Sequence, residues 1–101
     1  MPGFFELWEK ESPETYKAFF GLAGTLQKHA GLDEKTFQLV YLGIQAHRGA
    51  KDSVAAHAGF AKKAGATKEE VLGAVLVSLM TAGINGVSEC LEAAANGYDN
   101  A

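Results

Sequence analysis

Hydrophobic and polar positions alternate along this 101-residue chain at helical rather than strand spacing. Large apolar residues return every three or four positions through 16–26 and again through 37–44, as they do on one face of an α-helix. No valine- or threonine-rich segment is bounded by turn residues, and the only prolines are Pro2 and Pro13. The pattern therefore predicts an all-α protein with a single domain over residues 1–101.

Start and stop signals divide this pattern into separate helices. Ser12-Pro13-Glu14 is a typical helix start, Asp33 has the position of an amino-terminal cap, and Thr67 with Glu70 has the spacing of a capping box. Glycines follow most of the periodic segments, as they do where helices end. After an apolar amino-terminal arm at 3–9, the predicted helices cover 12–29, 33–48, 51–64, 67–82 and 87–95, with a break between Gly83 and Gly86.

Composition narrows the function classes. The formal net charge is -3 and no block of like charges occurs, so we expect no nucleic-acid partner, which would require a basic face. The apolar run 71–84 is shorter than the ~20 residues of a membrane span, and the amino terminus has no signal-peptide pattern. A single cysteine, Cys90, excludes an intramolecular disulfide. These features favour a cytoplasmic protein without a membrane partner.

The helix that follows Thr67 is apolar nearly all round. A helix of this kind is covered on all sides. A chain of 101 residues buries only a modest core of its own. We therefore predict that this helix contributes to an interface in a homo-oligomer.

The candidate chemistry centres on His57. The apolar positions Val54, Ala58 and Ala61 share its helix face, which places the imidazole inside, and its ordinary pKa near neutrality suits a general acid or base. Ser53 lies four residues earlier, within hydrogen-bonding reach on the same face. The alternative is a buried histidine whose hydrogen bonds are satisfied. A Ser–His nucleophile is disfavoured, because no orienting acid or oxyanion donor can be identified.

Metal and cofactor chemistry is not predicted. The spacings of His29, His47 and His57 match no zinc pattern. Cys90 is expected to be a small buried apolar residue rather than a reactive thiol. We therefore expect neither a metal nor a cofactor.

Several pieces of the sequence follow one another in a distinctive order and spacing. They are L-D-x-K-T at 32–36, an apolar helix, His57, A-G-A-T-x-x-E at 64–70 and a helix that closes on Ala82-Gly83. Over about residues 12–95 they resemble the carboxymuconolactone decarboxylase and alkylhydroperoxidase D-like superfamily. The resemblance implies an all-helical alkylhydroperoxidase D-like fold, assembly into trimers or hexamers, and a pocket where the His-bearing helix meets the preceding one.

The peroxidase branch of that superfamily carries a Cys-x-x-Cys pair, a histidine four residues after the second cysteine, and a glutamate one helix earlier. By spacing, these positions fall on Ala50, Ser53, His57 and Gln38. Peroxide reduction by a dithiol requires a thiolate and a resolving thiol, which alanine and serine do not supply. An amide at position 38 cannot take up a proton. We therefore predict that the chain is not a dithiol peroxidase.

The decarboxylase branch also has a histidine on the equivalent helix, and its implied reaction is loss of CO₂ from a small lactone acid. An anionic substrate needs a cationic partner, and Arg48 and Lys51 are the candidates at the helix junction. We therefore expect an enzyme acting on a small organic acid or lactone, with His57 as acid or base beside Ser53 and Gln38. The alternative is a non-catalytic small-molecule-binding or structural homo-oligomer, in which His57 is sealed.

Overall fold

The computed structural model describes residues 3–101, which are helical with no strand among them. The predicted all-α class is therefore confirmed. The described residues divide into two compact units, one ending at Leu32 and the other running from Asp33 to Ala101, and the single domain over 1–101 stays a prediction. Within residues 3–101, no helix combines the length and the hydrophobicity that crossing a membrane requires.

The first unit is a pair of helices, α1 (Phe4–Glu11) and α2 (Pro13–His29). The apolar arm predicted at 3–9 is therefore helical for most of its length. Trp8 joins the two helices, since its indole Nε1 donates to Thr15 Oγ1 at 2.8 Å and its ring lies 5.2 Å from that of Phe19. Neither helix contains a buried residue. This unit therefore displays its apolar side chains, among them Phe4, Phe5, Leu7, Phe19, Phe20, Leu22 and Leu26.

The second unit contains the remaining helices: α3 (Glu34–His47), α4 (Lys51–Lys63), α5 (Lys68–Val77), the single turn α6 (Leu79–Ala82) and α7 (Ile84–Asp99). The predicted caps are present. The Asp33 carboxylate accepts from the Thr36 N–H at 2.7 Å, and this bond lowers the pKa of Asp33. Thr67 and Glu70 form the reciprocal capping box. These local bonds fix where α3 and α5 begin.

The predicted boundaries of the last helix were wrong. The chain breaks at Gly83, whose φ of 71° favours glycine, and α7 then continues through both Gly86 and Gly97. Gly86 lies against the main chain of Ala46 in α3, and Gly97 lies against the main chain of Ala55 in α4. These two glycines permit close helix packing, and neither ends a helix.

Tyr98 and Lys62 join the end of α7 to the end of α4. Tyr98 lies within α7. Its phenol donates to the Ala66 carbonyl at 2.9 Å, and Lys62 Nζ donates to the Tyr98 carbonyl at 3.2 Å. The carboxyl-terminal turn is therefore tied to the end of α4.

The core of the second unit is built from small and medium side chains. As predicted, the α4 stripe faces inward, with Val54, Ala58 and Ala61 fully buried. The apolar face predicted through 37–44, widened by Leu39 and Leu42, is only partly buried in the single chain. Val40 and Ile44 are exposed, whereas Leu42 is buried together with Gln38 and Ala46. One of these is polar, so hydrophobicity alone did not identify every buried position of α3.

Candidate functional site

His57 of α4 meets Gln38 of α3 in a hydrogen bond of 2.7 Å between Nδ1 and Oε1. Gln38 is 1% exposed, whereas His57 is half-buried. The amide Nε2 of Gln38 donates to Glu34 Oε2 at 3.4 Å, one helical turn earlier. A chain of polar contacts therefore runs from the amino-terminal end of α3 to the imidazole.

Two aromatic rings hold the imidazole on its sides. The Tyr41 ring is stacked on His57 with centroids 3.7 Å apart and planes 18° apart. The Phe60 ring meets His57 edge-on, at 5.0 Å and 83°. Aromatic packing of this kind restricts rotation of the ring and removes water from its faces.

Tyr41 was not predicted as a site residue, because it is one of the large side chains that recur at helical spacing through 37–44. A signal was present in the polar residues of α3. Gln38, Tyr41 and Gln45 recur at i, i+3 and i+7, which is the spacing of one helical face. The complementary positions on α4 are Ser53, His57 and Phe60. We refer to Gln38, Tyr41, Gln45, Ser53 and His57 together as the α3–α4 polar cluster.

Ser53 does not pair with His57 as predicted. Its hydroxyl accepts from Gln45 Nε2 at 2.9 Å and lies 3.5 Å from the Tyr41 hydroxyl. Ser53 and His57 share a face of α4, but the hydrogen bonds of the serine hydroxyl are made with Gln45 and Tyr41 of α3. A Ser–His nucleophile is therefore not assembled in this cluster.

The two predicted cationic residues differ in their connection to the cluster. Arg48 Nη1 donates to Gln45 Oε1 at 2.9 Å, which links the guanidinium through Gln45 to Ser53. Lys51 is exposed at the first position of α4, and no hydrogen bond described for residues 3–101 joins it to the cluster. Arg48 is therefore the cation that the structure ties to the site.

The two nitrogens of His57 have different surroundings. Burial lowers the pKa of His57, so the ring is neutral at neutral pH. Within residues 3–101, every fully buried side-chain nitrogen or oxygen has a hydrogen-bond partner. Nε2 of His57 has no such partner among the described residues, so this atom is accessible to solvent. One nitrogen is therefore bonded to Gln38, and the other is not fully enclosed by the described residues.

The thiol and the other histidines are not members of this cluster. Cys90 is fully buried in α7, and burial raises the pKa of its thiol. His47 Nδ1 lies 2.8 Å from Thr81 Oγ1, and His29 ends α2. Among residues 3–101, no three His, Cys, Asp or Glu side chains are grouped so that they could hold a metal ion.

A separate apolar groove of about 580 Å³ opens along α3, α5 and α6. His57 does not line it. Among the residues that line it, His47 and Thr81 form a hydrogen bond between their side chains. Apart from Thr36, His47, Ser78 and Thr81, the lining is apolar, with Leu39, Val40, Gly43, Ile44, Ala74 and Val77.

The fold and the site together define a small all-α protein with a histidine-centred polar cluster between two helices. The chain matches the model of the carboxymuconolactone decarboxylase family over residues 13–96. The chain belongs to that family, and the resemblance identified from the sequence is thereby confirmed. With Cys90 as its only cysteine, it has no Cys-x-x-Cys pair. Comparisons with curated proteins and with solved structures give no significant match.

Proposed function

We propose that the chain is an enzyme that acts on a small organic acid or lactone at the α3–α4 polar cluster, with His57 transferring the proton. The observation that carries the proposal is the pair of unlike nitrogens on His57, one bonded to Gln38 and one accessible to solvent. A group that transfers protons needs a fixed orientation and one free nitrogen within reach of the substrate. Gln38 supplies the orientation, and Ser53 supplies a polar neighbour.

Binding of an anionic substrate is assigned to Arg48 and Lys51, on either side of the turn between α3 and α4. Both side chains are exposed, and Arg48 is already oriented by Gln45. A planar guanidinium held in this way is suited to a carboxylate. In this proposal the carboxylate binds at the turn, and the reacting part of the molecule lies against His57.

We propose further that the chain is not a dithiol peroxidase and that it works in the cytoplasm. Ala50 and Ser53 occupy the positions by spacing where the peroxidase branch has cysteines. The thiol of Cys90 is buried in α7, and its raised pKa disfavours the thiolate that attacks a peroxide.

A thermal-shift screen tests the proposed site. The probes are γ-butyrolactone, levulinate and related small acids and lactones. A probe at about 100 times its Kd is expected to stabilise the parent protein by about 2.7 kcal/mol. For a domain of this size, each kcal/mol raises Tm by about 4–8 °C. His57→Gln should abolish the shift, because glutamine lacks the free ring nitrogen.

His29→Gln is the matched control for that screen. It makes the same substitution in α2, outside the polar cluster, and should preserve the shift. The proposal fails if no probe at millimolar concentration stabilises the parent. It also fails if the His57→Gln and His29→Gln proteins respond equally to the same probe.

The apolar groove favours a second function, a homo-oligomer in which the role of the chain is structural or limited to binding small molecules. Several large apolar side chains along α3, α5, α6 and α7 are left exposed. Contiguous exposed apolar surface of this kind is typical of protein interfaces. We propose that a second copy covers it, giving the trimer or hexamer that the family resemblance implies. The side chains are Val40 (47% exposed), Ile44 (59%), Val77 (62%), Met80 (87%) and Ile84 (71%).

Light scattering after size exclusion tests the assembly. Ile44→Glu places a charge in the groove and should convert the oligomer to monomer. Ile44→Leu keeps the side chain apolar and should leave the molar mass unchanged, with circular dichroism verifying helicity in both. A parent protein that is already monomeric at micromolar concentration contradicts the interface.

A further inference from the structure

The hydrogen-bonded chain from Glu34 to His57 determines the direction of each bond within it. A carboxylate only accepts hydrogen bonds, so the Gln38 group that approaches Glu34 is the amide N–H. The amide oxygen of Gln38 then faces Nδ1 of His57 at 2.7 Å. An amide turned the other way would place its oxygen against the carboxylate of Glu34, lone pair to lone pair.

An amide oxygen can only accept a hydrogen bond, so Nδ1 of His57 has to be the donor. A neutral imidazole carries a single N–H, and its other nitrogen then bears a lone pair. Water cannot replace the amide in this contact, because Gln38 is 1% exposed. The hydrogen on Nδ1 is therefore fixed by a buried partner.

Rotation of the ring would break this arrangement, and the neighbouring aromatics oppose it. A half turn of the imidazole would present a carbon to Gln38 in place of Nδ1. The ring of Tyr41 covers one face at a centroid distance of 3.7 Å, and Phe60 meets the ring edge-on at 5.0 Å. These contacts fix the plane of the ring, and within that plane the hydrogen bond to Gln38 favours the orientation that uses Nδ1.

We propose that Gln38 is a positioning residue that holds neutral His57 in the Nδ1-protonated tautomer, so that the site presents the Nε2 lone pair to its ligand. In this state His57 accepts a proton at Nε2 and cannot donate one there. The catalytic use of this lone pair rests on the proposed function, and it narrows the class of ligand that the site can act on. The first proton moves from the ligand to His57, so the ligand class has an O–H or an acidic C–H to offer.

The tautomer is measured directly by long-range ¹H–¹⁵N NMR of the ¹⁵N-labelled protein at about pH 8, where imidazole is neutral. The protonated and unprotonated ring nitrogens resonate far apart, and their couplings to the two carbon-bound ring protons differ between tautomers. The signals of His57 are identified by their loss in His57→Gln. We expect Nδ1 to carry the hydrogen in the parent protein.

Two variants separate the effect of Gln38 from that of the fold. Gln38→Met keeps the length of the side chain and removes the acceptor, so His57 should move toward the Nε2-protonated form that unrestrained imidazole prefers. Gln45→Met is the matched control on the same helix. Its amide bonds to Ser53 and Tyr41 rather than to His57, and the tautomer should stay as in the parent.

Either of two results overturns the proposal. One is an Nε2-protonated ring in the parent protein, which would mean that the amide of Gln38 donates. The other is an Nδ1-protonated ring that persists in a folded Gln38→Met protein. The measurement uses no ligand, so a screen without binders would refute the proposed function while leaving the tautomer assignment intact.

Discussion

Replacement of Gly86 by alanine is expected to lower the free energy of unfolding by about 3 kcal/mol or more. This is at or beyond the upper end of the usual cost of overpacking a core. A Cβ atom at this position would overlap the carbonyl oxygen of Ala46 and lie in tight contact with its carbonyl carbon. Both are main-chain atoms of α3, so no side-chain rotamer relieves the clash. Since a domain has only about 5–15 kcal/mol of stability in total, urea unfolding should show a markedly lower midpoint.

Gly73→Ala is the matched control for this prediction. Gly73 lies in the interior of α5, and a Cβ there would meet no atom within 4 Å. The substitution is chemically identical, and helix propensity alone should stabilise the protein by about 1 kcal/mol. Equal stability of the two variants would show that α3 and α7 do not approach as closely as the Gly86 contact requires.

The helix starts and the fold class could be predicted because their causes are local. Asp33 and Thr67 each bond to a backbone N–H three residues away, so the signal and the structure lie in the same short segment. The same is true of the turn at Gly65, whose φ of 98° is disfavoured for other residues. Signals of this kind need no knowledge of the tertiary structure.

The wrongly predicted boundaries of α7 show where local signals fail. A glycine permits a turn and also permits close packing of two helices, and the sequence around it does not distinguish the two uses. Gly86 and Gly97 serve the second use, because each meets the main chain of another helix. That information is tertiary, and so the prediction placed helix boundaries at residues that lie inside α7.

The candidate site could be predicted from the sequence only in part. His57 and Gln38 were selected by spacing within a recognised family pattern, and the structure brings them into contact. The partner of Ser53 was not predictable from α4 alone, because its hydroxyl is satisfied by Gln45 from α3. Tyr41 was missed because an aromatic residue at helical spacing is usually part of a core.

Gln38→Glu is expected to reverse the pH dependence that His57 gives to stability. In the parent protein, burial lowers the pKa of His57. The unfolded chain therefore binds the proton first, and stability falls as pH drops below the ordinary histidine pKa of about 6.5. A carboxylate at position 38 would favour the imidazolium, and we expect it to raise the pKa of His57 above the ordinary histidine value. The folded variant then gains stability from the proton as pH drops.

The cost of the same carboxylate appears at higher pH. There His57 is neutral, and the buried carboxylate faces that of Glu34, which in the parent accepts from the amide of Gln38. A buried carboxylate oxygen that lacks a hydrogen-bond donor costs about 1–3 kcal/mol. The stability of Gln38→Glu relative to the parent should therefore worsen by about this amount between about pH 5 and pH 8, as measured by urea unfolding across that range.

Gln45→Glu makes the same change two helical turns later and provides the comparison. Its carboxylate would lie beside Arg48, which stays charged throughout this pH range, so its stability relative to the parent should be nearly independent of pH. His29 and His47 are common to all three proteins, so their contributions to stability cancel in the differences. If Gln38→Glu gave the same flat profile as Gln45→Glu, position 38 would not face the imidazole, and the site built on that contact would be refuted.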